Sequence, residues 1–144
     1  MRPLYRHKQS GHVLQRALIG SAAGIFILGL IVGEVPIALP VLAFAGWAFS
    51  SLTVEISPDE LTWFFGPGVF RKRIPRDEIV NASPVQNKWW WGWGIHLTHR
   101  GWHYNVEGLE AVEIVLCDGK ILRVGSDDAV VLARVLTTAP NPGK

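Results

Sequence analysis

The hydrophobic pattern divides the chain near residue 52. Residues 17–33 contain a single serine as their only polar side chain, and residues 35–52 contain two serines near their end and no other polar side chain. Each stretch approaches the roughly 20 residues that a helix needs to cross the hydrocarbon core of a bilayer. The pattern therefore predicts a two-helix transmembrane hairpin over residues 13–51, with helices at about 13–33 and 35–51 and a tight turn at Glu34.

Other structures can produce a similar pattern, namely a cleaved signal peptide, a buried hairpin of a soluble protein or a single re-entrant segment. The first apolar stretch is long for a signal peptide, and a second one follows almost at once. A buried hairpin would need a large partner surface, which a chain of 144 residues lacks. The transmembrane hairpin is the interpretation that the sequence favours.

Charge is distributed unevenly along the chain. The first 16 residues carry four Lys/Arg and no acid, whereas residues 53–144 carry ten Lys/Arg against eleven Asp/Glu. Because basic flanks stay in the cytoplasm, we predict a multi-pass protein of the inner (cytoplasmic) membrane, with residues 1–12 as a basic cytoplasmic tail and both termini cytoplasmic. The folded part has no excess of positive charge, which argues against a nucleic-acid partner.

From residue 52 onward the period of the pattern changes to two. Leu52, Val54 and Ile56 alternate with polar residues, as in a half-buried strand. Further runs between turn residues predict strands at 61–65, 69–74, 79–83, 95–98, 102–106, 112–116 and 121–124. Asp118-Gly119 joins the last two as a strong two-residue hairpin turn.

An amphipathic helix is predicted after the last strand. Ser126 caps it, and two aspartates in its first turn suit the helix dipole. The predicted fold class is mainly β with membrane helices: after the hairpin, the seven or so short strands of a β domain over residues 52–138 form a barrel or sandwich capped by a C-terminal α-helix. Residues 139–144 are predicted to be a disordered tail.

Glycines and aromatic residues recur in this region in an order that resembles the bacterial pleckstrin-homology-like (PH-like) domain family. The resemblance covers residues 52 to about 136 and is of moderate specificity, since none of the motif residues is catalytic. The matching residues are Trp91-Gly92-Trp93-Gly94-Ile95, Gly101-Trp102, Tyr104-Asn105-Val106, Gly108, Ala111-Val112-Glu113, Asp118-Gly119 and Val124-Gly125-Ser126-Asp127.

The resemblance implies a seven-stranded barrel with a C-terminal helix, often fused to membrane helices and often self-associating. Eukaryotic relatives of the fold bind phosphoinositides through basic residues around the first loop between strands. Here that loop, residues 57–60, contains Asp59 and Glu60 and no base. Phosphoinositide binding is therefore not expected.

The most unusual feature is a tryptophan-rich segment beside a lysine. Indole rings favour the headgroup level of a bilayer and the centres of protein interfaces. The segment is therefore a candidate contact for a membrane or for a protein partner, and the alternative is that Trp91 and Trp93, which share a face, fill the interior of the barrel and leave Trp90 outside. The candidate residues are Lys88, Trp89, Trp90, Trp91 and Trp93.

A basic cluster lies on and just after the third predicted strand. Near an anionic leaflet, each such charge contributes about 1 kcal/mol of attraction, so the cluster is a candidate contact for anionic headgroups. The alternative is a solvated edge strand whose charges prevent aggregation. The residues are Arg71, Lys72, Arg73 and Arg76.

No arrangement of residues predicts catalysis or a cofactor. The histidines at 96, 99 and 103 straddle a predicted hairpin turn without a nearby cysteine, so we expect exposed strand histidines and no metal site. Known nucleophile, metalloprotease and phosphate-loop motifs do not occur. The predicted function is a membrane-anchored, non-catalytic binding or assembly module that binds a protein partner or itself, with no small-molecule substrate. The alternatives are an anionic-lipid-sensing module and an accessory subunit of a larger membrane complex.

Overall fold

The structure is a computed structural model that describes residues 3–33 and 37–138. The predicted turn at Glu34 and the predicted tail at 139–144 lie outside the described residues. In chain order the elements are β1 (Tyr5–Ser10), α1 (His12–Val32), α2 (Ala38–Ala48), β2 (Ser51–Ile56), β3 (Glu60–Phe65), β4 (Val69–Pro75), a 3₁₀ turn (Arg76–Glu78), β5 (Ile79–Gln86), a 3₁₀ turn (Trp89–Trp91), β6 (Gly94–Thr98), β7 (Gly101–Asn105), β8 (Glu110–Leu116), β9 (Ile121–Gly125) and α3 (Ala129–Thr138).

The basic N-terminal segment is a strand of the β domain. β1 pairs antiparallel with β2, in a register that runs from Tyr5 opposite Ile56 to Ser10 opposite Ser51. Both helices α1 and α2 are therefore inserted between two neighbouring strands of one sheet. The β domain therefore includes residues 5–10, which were predicted to belong to a cytoplasmic tail.

Only α1 fits the predicted pair of membrane helices. Its 21 residues give a length of about 31 Å, and by length and composition it is the one helix in the described residues that could cross a membrane. α2 packs against α1 but has 11 residues, about 16 Å, so the prediction of a hairpin of two spanning helices is wrong. The predicted second span also included Phe49, Ser50 and Ser51, where the chain leaves the helix and enters β2.

The strands form two open sheets instead of one closed barrel. The first sheet has the order β1-β2-β3-β4, and the second has the order β5-β8-β9-β7-β6. β9 lies between β8, with which it pairs antiparallel, and β7, with which it pairs parallel. The predicted seven-stranded barrel is therefore wrong: nine strands are described, in two sheets whose edges remain open.

The two sheets pack face to face around an aromatic and aliphatic core. Trp63 of the first sheet meets Tyr104 of the second with ring centroids 5.1 Å apart, and Trp63 is fully buried. The predicted C-terminal helix is confirmed: α3 packs on β5 and β8 with Leu132 and Leu136 in the core. The Tyr5 hydroxyl donates to Asp128 just before α3 at 2.9 Å, so α3 also reaches the edge strand of the first sheet.

Candidate functional site

The helices leave the domain and return to it at one point, which we call the proximal end. The amide of Gly11, just before α1, donates to the carbonyl of Ser50, just after α2, at 2.9 Å. The turn between β3 and β4 lies at the same place, since the amide of Gly66 donates to the carbonyl of Ser51 at 2.8 Å. The proximal end of the first sheet therefore contains the start of α1, the end of α2 and the β3–β4 turn.

The corresponding end of the second sheet also reaches the base of α1, through the loop between β7 and β8. In this loop the carboxylate of Glu107 accepts the amide of His12, the first residue of α1, at 2.8 Å. An acid at this position stabilises a helix N-terminus, where amides lack partners within the helix. Two residues on, the Leu109 carbonyl accepts the amide of Asn87 at 2.6 Å. The segment that follows Asn87 is therefore attached to the proximal end.

That segment is the tryptophan-rich one, and it forms the 3₁₀ turn Trp89–Trp91. Trp89 is 72% exposed and Trp90 is 61% exposed, which is unusual for the largest apolar side chain. The ammonium of Lys88 lies 5.0 Å from the centroid of the Trp90 ring, a cation–π distance. Trp93, beyond the turn, is 37% exposed.

Trp91 differs from its neighbours because it packs on the domain. Its ring lies 5.7 Å from the ring of His99 and 6.0 Å from that of His103, and the guanidinium of Arg123 is 5.0 Å from its centroid. These contacts lie on the outer face of the second sheet, the face turned away from the first sheet. Trp91 thus packs on the domain from outside and does not fill its interior as the packing alternative predicted, whereas Trp89 and Trp90 are available for contact.

Under Trp91 a row of polar side chains crosses the second sheet. Glu113, Arg123, His103 and His96 occupy paired positions on four neighbouring strands. Arg123 and Glu113 form an ion pair of 2.6 Å, and the Arg123 side chain is only 8% exposed. The charges of this pair are matched, so the pair explains how a buried arginine is tolerated here.

His103 is the exception within this row. It is 1% exposed, and neither of its ring nitrogens has a hydrogen-bond partner among the described residues. Burial, together with the nearby His96 and Arg123, lowers the pKa of His103 from 6.5 to about 4. Exposed strand histidines were expected at 96, 99 and 103, and for His103 that expectation is wrong.

The basic cluster divides into surface and structural residues. Arg71, Lys72 and Arg73 are exposed on β4, which is an edge strand as predicted. The guanidinium of Arg71 lies 4.6 Å from the centroid of the Phe64 ring. Arg76 is 4% exposed and donates to the carbonyl of Leu136 near the end of α3 at 3.3 Å. Arg76 therefore joins α3 to the sheet and is not part of a headgroup-binding surface.

The carboxylates for which a partner is described stabilise the fold. Glu107 binds the start of α1, Glu113 binds Arg123, and Asp128 accepts the hydroxyl of Tyr5. Burial and the bond to Asp128 raise the pKa of Tyr5, so that its hydroxyl stays protonated. Within residues 3–33 and 37–138, no group of three or more His, Cys, Asp or Glu side chains could hold a metal ion.

Three residues of the proximal end were not predicted from the sequence as functional residues, namely Asn87, Glu107 and Leu109. Each is an ordinary loop residue in the sequence and matters only because the fold brings three distant segments together. The pattern Asn105-x-x-Gly108 was the available signal, since the Asn105 side chain donates to the Gly108 carbonyl at 2.9 Å and shapes the loop.

Comparison with known proteins adds no relative. No protein-family model, no curated protein and no solved structure matches the chain. The resemblance to the bacterial PH-like family therefore stays a prediction.

Proposed function

We propose that the chain is a membrane-anchored, non-catalytic binding module whose β domain is held at the cytoplasmic face of the inner membrane and binds a protein partner there. The observation that carries this proposal is the pairing of β1 with β2 on either side of an apolar insertion. The domain and its anchor are therefore one structural unit, in which the position of the anchor fixes which end of the domain faces the lipid.

The exposure of α1 supports the membrane anchor. Within its most apolar 18-residue window only 6% of the residues are buried against the rest of the chain. Ile31 is 77% exposed and Leu30 is 68% exposed, an arrangement that is unfavourable in water and favourable in lipid. The in-register β1–β2 pair requires the insertion to return to the side from which it left, and α2, about 16 Å long, cannot cross a bilayer, so α1 and α2 enter the lipid together as a re-entrant hairpin.

The cytoplasmic orientation rests on the charges beside the anchor. Arg6 and Lys8 lie on β1, and Arg16 lies in the first turns of α1. Basic residues within short flanks of a membrane segment favour the cytoplasmic side. The β domain then sits on that side, because β1 is part of it.

The edge strand β6 supports a binding function. Natural sheets protect their edges with charges or proline, and β4 carries three cations while β5 carries Pro84. β6 (Gly94–Thr98) contains no Asp, Glu, Lys, Arg or Pro. Leu97 on β6 is 69% exposed, and its cross-strand neighbour Trp102 is 45% exposed. Such an edge suits the addition of a strand from a partner.

The membrane anchor makes a different protein a better candidate for this partner than a second copy of the same chain. β6 runs from Gly94, at the proximal end, to Thr98, at the opposite end of the sheet. Two copies in one membrane are related by rotation about the membrane normal, so their β6 strands point the same way. An antiparallel pair of two β6 edges is then impossible, and antiparallel addition requires a strand from another chain.

Photocrosslinking in native membranes tests the proposal. We expect a benzoylphenylalanine at Leu97 of the full-length protein to give a crosslinked adduct with a second protein. The matched control is Val80, which is 67% exposed on β5, the opposite edge of the same sheet, and should give none. Equal crosslinking at both positions would contradict a specific edge site. An adduct of twice the monomer mass would assign self-association instead.

A groove between the helices favours an accessory-subunit role as the second candidate. It has a volume of about 630 Å³ and is lined mainly by apolar side chains of α1 and α2, among them Ala22, Ala23, Ala43 and Gly46. Small side chains allow close approach of another helix in a membrane. In that case the helices themselves, and not only the β domain, would carry the contact with the larger complex.

A further inference from the structure

We propose that the tryptophan turn Trp89–Trp91 and the adjacent Leu109 contact the lipid leaflet that α1 enters. Trp89 and Trp90 lie at the headgroup level, and Lys88 lies near anionic headgroups. The proposal deepens the proposed function and rests on its membrane anchor. It assigns to these residues a second, peripheral contact with lipid that orients the domain on the membrane.

The position of the turn is the first argument. α1 starts at His12, whose amide is bound by Glu107, and Leu109 of the same loop binds the backbone of Asn87. The base of α1 is thus connected to the start of the tryptophan segment by two hydrogen bonds, one to Glu107 and one to Leu109 of the same loop. Since α1 enters the lipid directly from this end, the turn lies beside the point of entry.

The exposure and chemistry of the side chains are the second argument. Trp89, Trp90 and Leu109 are 72%, 61% and 43% exposed, and they border one loop end of the sheet. Tryptophan is enriched where a protein meets the headgroups, because one part of the ring is apolar and its N–H is polar. The side chain of Trp91, by contrast, packs on His103 and fixes the turn to the domain.

The charge beside the turn is the third argument. Lys88 projects over the ring of Trp90, where a lysine can reach phosphates while its methylene chain stays with apolar groups. Of the acids in the neighbouring loop, Glu107 is bound to the start of α1, and Glu110 is exposed at the start of β8. An anionic leaflet attracts juxtamembrane cations.

Spin labelling of the full-length protein in vesicles tests the lipid contact. The vesicles contain zwitterionic and anionic phospholipids, and single cysteines carry a nitroxide in a Cys117→Ser background. The test positions are Trp90→Cys and Leu109→Cys. Two positions serve as references: Phe44→Cys on α2, 55% exposed, reports on the anchor, and the native Cys117, exposed at the opposite end of the second sheet, reports on water.

The measured quantity is the ratio of collisions with oxygen, which concentrates in lipid, to collisions with a water-soluble nickel chelate. We expect this ratio at positions 90 and 109 to exceed that at Cys117 several-fold and to lie below that at position 44. Water-like values at 90 and 109 with a lipid-like value at 44 would overturn the lipid contact and leave the membrane anchor intact. A water-like value at 44 would overturn the anchor itself. Shielding of position 90 from both reagents would show a protein contact and would also overturn the proposal.

A charge substitution provides a second readout in case a label disturbs the turn. In the Leu109→Cys protein, Lys88→Glu should lower the oxygen-to-nickel ratio in anionic vesicles, and less so in zwitterionic ones. Lys120→Glu, a change of the same charge at the opposite end of the sheet, is the matched control and should leave the ratio unchanged. Equal effects of the two substitutions would contradict a specific role of Lys88.

Discussion

His103 is a buried imidazole whose ring nitrogens have no hydrogen-bond partner in the described part of the chain. It remains neutral in the folded protein down to a pKa of about 4, whereas an unfolded chain binds the proton near pH 6.5. Between these values the unfolded state binds more protons than the folded state. Acidification therefore lowers the free energy of unfolding, and His103 contributes on the order of 3 kcal/mol to this loss once the pH falls below both pKa values.

We predict that His103→Leu removes this part of the acid sensitivity. Near neutral pH the variant should be as stable as the wild type or more so, because leucine has no polar atom to leave unsatisfied. The measurement is the thermal midpoint in detergent between about pH 7.5 and about pH 5, where the wild-type midpoint should fall more steeply. His99→Leu, which removes an exposed imidazole from the same hairpin, is the control for replacing a histidine of this hairpin by leucine. Parallel curves for wild type and His103→Leu would contradict the prediction.

At the scale of elements, the sequence pattern located β2 to β9 and α3 within a few residues. These elements have local signals, such as alternation in β2 and the Asp118-Gly119 turn between β8 and β9. β1 lacked such a signal because its inward positions carry Tyr5, His7 and Gln9, so its sequence shows no alternation of apolar and polar residues. Its partner strand also starts some 40 residues later, beyond the reach of any local pattern.

The length of α2 was overestimated for a related reason. Apolar residues can extend a membrane helix or begin a buried strand, and hydropathy does not distinguish the two. Phe49 illustrates this, since its ring packs at 5.1 Å against Phe65 of β3 and so belongs to the domain. The tryptophan segment posed a similar problem: its composition revealed a special site, but only the fold separates the packed Trp91 from the exposed Trp90.

The β1–β2 pair predicts that the β domain folds after the helical insertion has been excised. Replacing residues 12–49 by Asn-Gly leaves Gly11 and Ser50 as the pair that flanks a two-residue turn, and their amide-to-carbonyl bond of 2.9 Å already exists. We expect a protein of nine strands and α3 that is extracted without detergent and unfolds cooperatively. Far-ultraviolet circular dichroism and a thermal melt provide the measurement.

The matched control is a chain that starts at Ser51 and therefore lacks β1. Its β2 edge would be exposed, together with the buried faces of Val54 and Leu52, so we expect aggregation or a much lower thermal midpoint. Equal stability of the two proteins would show that β1 is dispensable.

At the scale of the whole molecule, the sheet restricts how the chain can lie in a membrane. Six residues of β1 are hydrogen-bonded to β2, so residues 5–10 and 51–56 must occupy the same aqueous compartment. A chain that crossed the bilayer once would place them on opposite sides and break the first sheet. For the proposed membrane anchor, the sheet thus requires both ends of the insertion to lie on one side without reference to charge, whereas the proposed cytoplasmic orientation rests on the basic flank.

Cysteine accessibility tests both parts of this statement. Cys117 is exposed and is the only cysteine of the chain, and Arg6→Cys adds a second reporter on the outer face of β1 in a Cys117→Ser background. We expect a membrane-impermeant maleimide to label neither site in intact cells and both sites in inverted membrane vesicles. Labelling of both sites from outside would preserve the sheet and reverse the orientation. Labelling of the two sites from opposite sides would be incompatible with a β1–β2 pair in the membrane-bound protein, because strands separated by a bilayer cannot share hydrogen bonds.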